Sequence, residues 1–333
     1  MLQFSVDMAD AKARALREFE SLLLSLEKKR KSRIYALVHS HAPYHNHVCR
    51  PSLWELTEQR DKFRNIDTLE ILVHSPGGHV DIAYQLAKFF RGHCKKLNVI
   101  VPLYAKSAAT VLCLNADSVF MGEFAELGPL DVQVEDELEK GKQSFPPLNE
   151  FKSMEFLKEH ATEYLDFFTE LLVERGLSVK QALHEAIPGV VGIMNPLYGH
   201  IDPSKLGSYR RMLAEGEEYA RRLLNSVHNE SADDLVQQLV WEYPSHNFVI
   251  DYDEAKSIGL PVKRLELAQE KALIKAILGL HEDDNFYSGF AQAQQQTVAR
   301  RRVPPRPQRK PRKMPAAAAQ PTAAVPKRTG TSG

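Results

Sequence analysis

TLEILVHSPGGHVDIAYQLAKFFRG, residues 68–92, and NVIVPLYAKSAATVLCLNADSVFMG, residues 98–122, decide the fold. Thr68 to His74 holds Leu69 and Ile71 to Val73 with Glu70 between them, the pattern of a buried strand. Ser75 to Gly78, SPGG, reads as a turn, and Val80 to Gly92 carries apolar residues at helical spacing. Asn98 to Ala105 is a second apolar strand, Ala109 to Ala116 an apolar helix and Ser118 to Gly122 a third strand. Strand, helix, strand, helix, strand predicts a mostly parallel sheet with helices packed on it. Ligands in such sheets gather beyond the carboxyl ends of the strands, so SPGG and the Lys106 to Thr110 segment mark where a site belongs.

Outward from this centre, Asp7 to Lys31 places Leu16, Phe19, Leu22, Leu23 and Leu26 on one helical stripe, and Ser32 to Val38 is a short apolar strand. The loop after it holds His39, His41, His45 and His47, with neither cysteine partners nor an HExxH helix, so it reads as carrying no metal. From about Pro146 to Asn225 the pattern is helical. Ser245 to Val262 reads as a short strand and a small helix starting near Asp251 and closed by Gly259, and a final helix runs from about Val262 to Leu280. The domain reading is an N-terminal helix at 1–31, a catalytic domain at 32–281 with a helical insert at about 146–225, and a tail at 282–333.

The 333 residues balance 43 Lys and Arg against 43 Asp and Glu, yet the zero hides a split. Residues 299–333 carry ten basic side chains, seven prolines and no acid, which leaves a balance of −10 on the rest. The tail cannot bury a core and is expected to be disordered, with nucleic acid or another anionic surface as the partner that its charge suits. No apolar run reaches the ~20 residues of a membrane-spanning helix, and the N-terminus lacks the order of a secretory signal. Cys49, Cys94 and Cys113 form neither a CxxC pair nor an even framework. Together these exclude a transmembrane protein and a disulfide scaffold and lead to an expected cytoplasmic location.

Ser107 stands where an apolar strand meets an apolar helix, with small neighbours Ala108 and Ala109 that leave room for a carbonyl. Unpaired N–H groups at such a junction stabilise an alkoxide and the oxyanion it creates, although a serine there also serves as a plain N-cap. Gly77 and Gly78 let the backbone take positive φ and approach a ligand closely, or make only a tight turn. The two junctions lie about 30 residues apart in successive parallel units, side by side at one sheet edge.

Four segments, HSPGGHVDIAYQLA, VPLYAKSAATVLCLNADSVFMG, ELGPLDVQ and SHNFVIDYDEAKSIGL, resemble the serine dehydrogenase proteinase family, a relative of the Clp proteolytic subunit and of signal peptide peptidase A. The resemblance spans about Arg33 to Pro261. It implies an α/β fold, a Clp/crotonase-like spiral of strand-strand-helix units with additional helices. It implies a serine peptidase with Ser107 as nucleophile, Asp131 as orienter, His246 as general base, and Gly77, Gly78 and Ala108 at the oxyanion site. It also implies a protein or peptide substrate, an oligomer of identical chains, and no cofactor.

Other residues remain open for the roles beside Ser107. Asp117 is an alternative carboxylate, His200 an alternative base, and Lys140, Lys142 or Lys152 would serve in a Ser-Lys arrangement. Lys106 is a poor base, because adjacent strand residues point to opposite faces. The family more often has glycines after the nucleophile and proline after the aspartate, whereas Ala108, Ala109 and Val132 stand here, so a different local turn is expected. Besides the peptidase, two further readings are open: a catalytically silent scaffold of the same fold, and an acyl-CoA enzyme whose glycines would hold a thioester oxygen.

Overall fold

The computed structural model describes residues 2–40, 46–130, 134–135, 144–145, 148–227, 232–282 and 286–292. The basic tail lies outside the described residues. In chain order, helix α1 (Leu2–Arg30) leads to strand β1 (Arg33–Val38), and α2 (Arg50–Glu58) precedes β2 (Ile66–His74). Then come α3 (Val80–Gly92), β3 (Cys94–Val101), β4 (Tyr104–Ala105), α4 (Ala108–Val111), β5 (Ser118–Met121) and β6 (Glu126–Leu127). A short pair, β7 (Val134–Glu135) and β8 (Ser144–Phe145), stands before three long helices, α5 (Leu148–Glu174), α6 (Val179–Tyr198) and α7 (Pro203–Asn225). The chain continues through α8 (Ala232–Gln237), a π-helical turn at Gln238–Glu242, α9 (Tyr252–Ser257), β9 (Val262–Arg264), α10 (Leu267–Glu282) and β10 (Tyr287–Phe290).

The main sheet has the order β10-β1-β2-β3-β5-β9, parallel throughout except for β10, which runs antiparallel to β1. Alternation sorts the side chains into two cores. Tyr35, Leu37, Ile71, Val73, Val99 and Val119 meet Ile82, Leu86 and Phe90 of α3 and Leu213 and Leu223 of α7. Ile34, Ala36, Val38, Leu72 and Ile100 face the other way, onto Phe19, Leu23 and Leu26 of α1 and Leu273, Ile277 and Leu280 of α10. Burying Phe19 and Leu23 fully contributes about 1.5–3 kcal/mol each, so α1 is part of the sheet's packing rather than an appendage. Arg30, at its end, makes bonds of 2.6 and 2.7 Å to the carboxylate of Glu70, which Ser32 and Asn98 also bind.

Three elements differ from the sequence expectation. Asn98 to Ala105 is not one strand: Pro102 has no N–H to give the ladder, β3 ends at Val101, and β4 leaves the main sheet to pair with β6. The last helix begins at Leu267, because Val262 to Arg264 pair with β5 as a sheet edge. Folded structure also extends past residue 281: β10 seals the outer edge of β1 with Tyr287 and Phe290 buried.

The departure of β4 builds a second row of short strands across the exit end of the sheet. Val48 bridges Gly78, Ser75 bridges Ala105, Ala105 pairs with Leu127, and Leu127 bridges Ile250. A long strand, a short strand in this second row and a helix therefore repeat, and both glycines and Ser107 lie along the row.

Candidate active site

Ser107 is the point where β4 turns into α4, and its backbone is strained. Its φ of 48° and ψ of −125° lie in a region that residues with a Cβ avoid, at a cost of about 1–3 kcal/mol. Two bonds force the turn. Lys106 donates its N–H to Ser75 O at 3.0 Å, continuing the short-strand row, and its carbonyl accepts the Ala109 N–H at 2.9 Å, already winding the helix. Ser107 is left to make the reversal between them. Its side chain is half-buried, does not cap the helix, and has no hydrogen bond among the described residues. A serine that only caps its helix would bond the N–H two or three residues on.

Helical dihedrals at Ala108 and Ala109 explain the missing glycines: the positive φ falls on Ser107 itself. The helix that follows is short. Four α-helical residues give way to tighter turns that carry bonds from Leu112 to Ala109 and from Cys113 to Thr110. Individual N–H groups therefore matter here more than a helix dipole.

SPGG packs directly against this turn. A Cβ added to Gly77 would lie 2.8 Å from Ser107 Cβ, 2.8 Å from Lys106 O and 3.3 Å from Ala108 N, and Gly77 has φ +117°. Only glycine allows both that conformation and that approach. Gly78, at φ +134°, lies against the backbone of Val48 and the His47 ring. Gly77 O accepts the Val48 N–H at 2.6 Å, and Gly77 N–H donates to Ser75 Oγ at 3.2 Å. Among the described residues the N–H groups of Gly78 and Ala108 carry no hydrogen bond, so they remain as donors beside Ser107, whereas the Gly77 N–H is occupied.

Further side chains surround the turn. Thr110, fully buried, uses Oγ1 to contact Ala105 O and Gly128 O and to accept the Gly128 N–H, tying α4 to the segment after β6. Gly128 fits because a Cβ there would lie 3.0 Å from Ser107 N. Lys106 directs its ammonium to Glu126 at 2.9 Å and to Phe248 O at 3.4 Å. Burial, and to a smaller extent the Glu126 charge, raises the Tyr104 pKa. Of these supporting groups, the sequence signal available was the small, hydroxylated run after Lys106 and the glycine of LGP.

The remaining candidates fall in different places. His246 is half-buried in the segment leading to Ile250, and the Leu127–Ile250 pair together with the Lys106–Phe248 contact holds that segment against the Ser107 strand row. Asp131 lies outside the described residues, as do Lys140 and Lys142. Asp117 stands at the entering end of β5, bound by Arg91 at 2.6 and 3.2 Å and by the Leu97 N–H at 2.7 Å. Burial raises its pKa, but the bonds to Arg91 and Leu97 outweigh this and hold the carboxyl low, as suits a structural ion pair. His200 is exposed between α6 and α7, where the neighbouring Asp202 caps α7 through Ser204 and Lys205. Lys152 is a solvent-facing partner of Glu155 on α5.

In the histidine-rich loop, His39 is buried against Ser75 and His47 bonds Asn46; His41 and His45 lie outside the described residues. Among the described residues no three metal-binding side chains converge, and no helix is long and apolar enough to cross a membrane.

The chain is similar to several known proteins. The chain is 27% identical over 194 residues to the uncharacterized protein MJ0137 of Methanocaldococcus jannaschii, an alignment covering 58% of this chain and 53% of that one. A second uncharacterized protein of that organism, MJ1495, is 35% identical over 66 residues, covering 20% of this chain and 23% of its own. The chain thus spans about half or less of the length of these curated relatives. Among solved structures, ClpP1 from Listeria monocytogenes aligns at 12% identity and a TM-score of 0.36, covering 73% of this chain and 98% of that one. A mutant of the 1510-N membrane-bound stomatin-specific protease aligns at 14% identity and a TM-score of 0.27, covering 46% and 68%. The family model described as ClpP-like SDH-type serine proteinase matches residues 3–139, a stretch that holds Gly77, Gly78, Ser107, Ala108 and Asp131 but not His246. Over those residues the chain carries the sequence pattern of the ClpP-like SDH-type serine proteinases.

Proposed function

We propose that the protein is a serine peptidase in which Ser107 attacks a peptide carbonyl. The observation that carries this reading is the backbone of Ser107: strain at one hydroxyl-bearing residue, which holds Oγ away from its own helix, is the geometry of a nucleophile at a strand-to-helix turn. As the serine oxygen bonds to the carbonyl carbon, its proton passes to His246, which Asp131 holds in the right tautomer. The carbonyl oxygen becomes an oxyanion, received by the N–H groups of Gly78 and Ala108, while Gly77 supplies the close approach. The amine leaves with the proton from His246, and water then releases the acyl group from Ser107. The contacts that hold the His246 segment beside the Ser107 row support the choice of base.

A fluorophosphonate probe tests the reading. Ser107 of the folded protein is expected to be labelled and Ser107→Ala is not, while labelling of both alike would refute it. A silent scaffold is the second reading, favoured by the fact that no imidazole or amine among the described residues bonds the Ser107 hydroxyl. Complete absence of labelling at any pH in folded protein would select it. We further propose that identical chains assemble, and that the ten cations of residues 299–333 engage an anionic surface such as nucleic acid. That affinity should fall steeply with salt and vanish when the chain ends at residue 298.

A further inference from the structure

The shortest serine–histidine contact among the described residues is not at Ser107. His39 Nδ1 lies 2.8 Å from Ser75 Oγ, a separation suited to a nucleophile and its base. Burial argues against that role: Ser75 is 0% exposed and His39 3%, so no substrate carbonyl reaches the hydroxyl. The register of the sheet creates the pair. Val38 pairs with His74 at the exit ends of β1 and β2, so the next residues, His39 and Ser75, face each other, and His39 N–H bonds His74 O at 2.9 Å.

What the pair touches gives it a purpose. Ser75 Oγ accepts the Gly77 N–H at 3.2 Å, the first peptide of the Gly-Gly turn. Ser75 N–H bonds Tyr104 O at 3.1 Å and Ser75 O accepts the Lys106 N–H, so one residue is bonded both to the glycine loop and to the strand that presents Ser107. A hydroxyl has a single proton. With His39 in the tautomer whose Nδ1 accepts, that proton goes to the imidazole at 2.8 Å rather than to Gly77 O at 3.5 Å, and the imidazole thereby fixes the rotation of the hydroxyl. His39 is secured in turn, since its carbonyl oxygen is contacted by His281 Nε2 at 2.9 Å.

We propose that Ser75, oriented by His39, is a positioning residue that sets the Gly77–Gly78 turn so that the Gly78 N–H is aimed at the carbonyl oxygen of a substrate bound at Ser107. Binding the Gly77 N–H fixes the Pro76–Gly77 peptide, and the next peptide, whose Gly77 O accepts the Val48 N–H, is thereby set with the Gly78 N–H as the loop's donor. This inference rests on the peptidase reading and adds a residue that never touches substrate.

The test compares fluorophosphonate inactivation of the wild-type chain with Ser75→Ala, His39→Leu and His39→Asn, separating the binding constant of the probe from its maximal rate. His39→Asn keeps a hydrogen-bonding atom near the Nδ1 position. The expected result is a fall of roughly 10–100-fold in maximal rate for Ser75→Ala and His39→Leu, part of the ~10²–10³-fold that losing an oxyanion donor costs. Probe binding is expected to change little, and His39→Asn to recover a substantial part of the rate. Hydrogen exchange over residues 75–79 is expected to quicken in Ser75→Ala. If Ser75→Ala is folded and inactivated at the wild-type rate, the proposal is wrong. If Ser75→Ala does not fold, the two His39 variants decide, and equal rates in them overturn it. An unlabelled wild-type chain overturns the peptidase reading and this inference together, whereas a labelled wild type with unaffected variants overturns only the inference.

Discussion

Gly77→Ala should damage the site more than the removal of a side chain elsewhere, and its size follows from three contacts. The new Cβ would sit 2.8 Å from Lys106 O and 2.8 Å from Ser107 Cβ, against the ~3.5–4.0 Å of a relaxed carbon contact, and 3.3 Å from Ala108 N. Two of these atoms are backbone and the third is fixed to it, so no flexible side chain can yield. A Cβ at φ +117° adds strain of about 1–3 kcal/mol. With the overlap, a loss of about 3–4 kcal/mol is expected, which for a chain of this size, at about 2.1 cal/mol/K of unfolding entropy per residue, lowers the melting temperature by roughly 4–7 °C. If the turn yields instead, Ser107 moves, and a displacement near 1 Å costs about 10²-fold in reactivity. The assay pairs thermal melting with the rate of fluorophosphonate labelling. Gly279→Ala is the control, since it lies within α10 with nothing within 4 Å of its added Cβ and should gain about 0.5–1 kcal/mol. A Gly77→Ala protein that melts within a degree of wild type and labels at the same rate would refute the close-packing argument.

Other perturbations probe the frame. Arg30→Ala strands the buried Glu70 carboxylate and should lower stability by about 3–5 kcal/mol in urea unfolding, whereas replacing both with apolar residues of similar volume should cost much less. Asp117 has its pKa lowered in the fold, so its stabilisation is present above the ordinary carboxylate range near 4 and is lost as pH falls through the folded value. After solvent screening, Asp117→Asn should cost about 1 kcal/mol at pH 7, and its urea midpoint should converge on that of wild type below about pH 4. Burial pushes the Cys113 thiol up to about 12, so alkylation of Cys113 at pH 8 should require unfolding; rapid modification of the native chain would contradict its packing.

The strands and helices around the two junctions were legible because local pattern encodes them. Val80 to Gly92 is a helix over the same residues in sequence and structure, and Ser118 to Met121 is a strand as its apolar run implies. Local pattern misled where a partner decided the outcome. Val262 to Arg264 has the composition of a helix start but serves as an edge strand on β5, and Tyr287 to Phe290 is held by β1. Around the candidate site, the small residues flanking Ser107 were visible, but the buried Ser75–His39 contact was not, because it joins the ends of two strands 36 residues apart.

By itself the sequence determined an alternating α/β chain with a glycine pair and a serine at neighbouring junctions, since periodicity and turn chemistry act within a few residues. Only the tertiary structure decided that Ser107 carries the strain, that Gly77 spends its N–H on Ser75, and that among the described residues the donors of Gly78 and Ala108 stay open. The physical reason is that a backbone group's hydrogen-bond partner depends on which distant strand arrives beside it. That choice is made when Pro102 turns β4 out of the main sheet and a second row of strands forms across its exit.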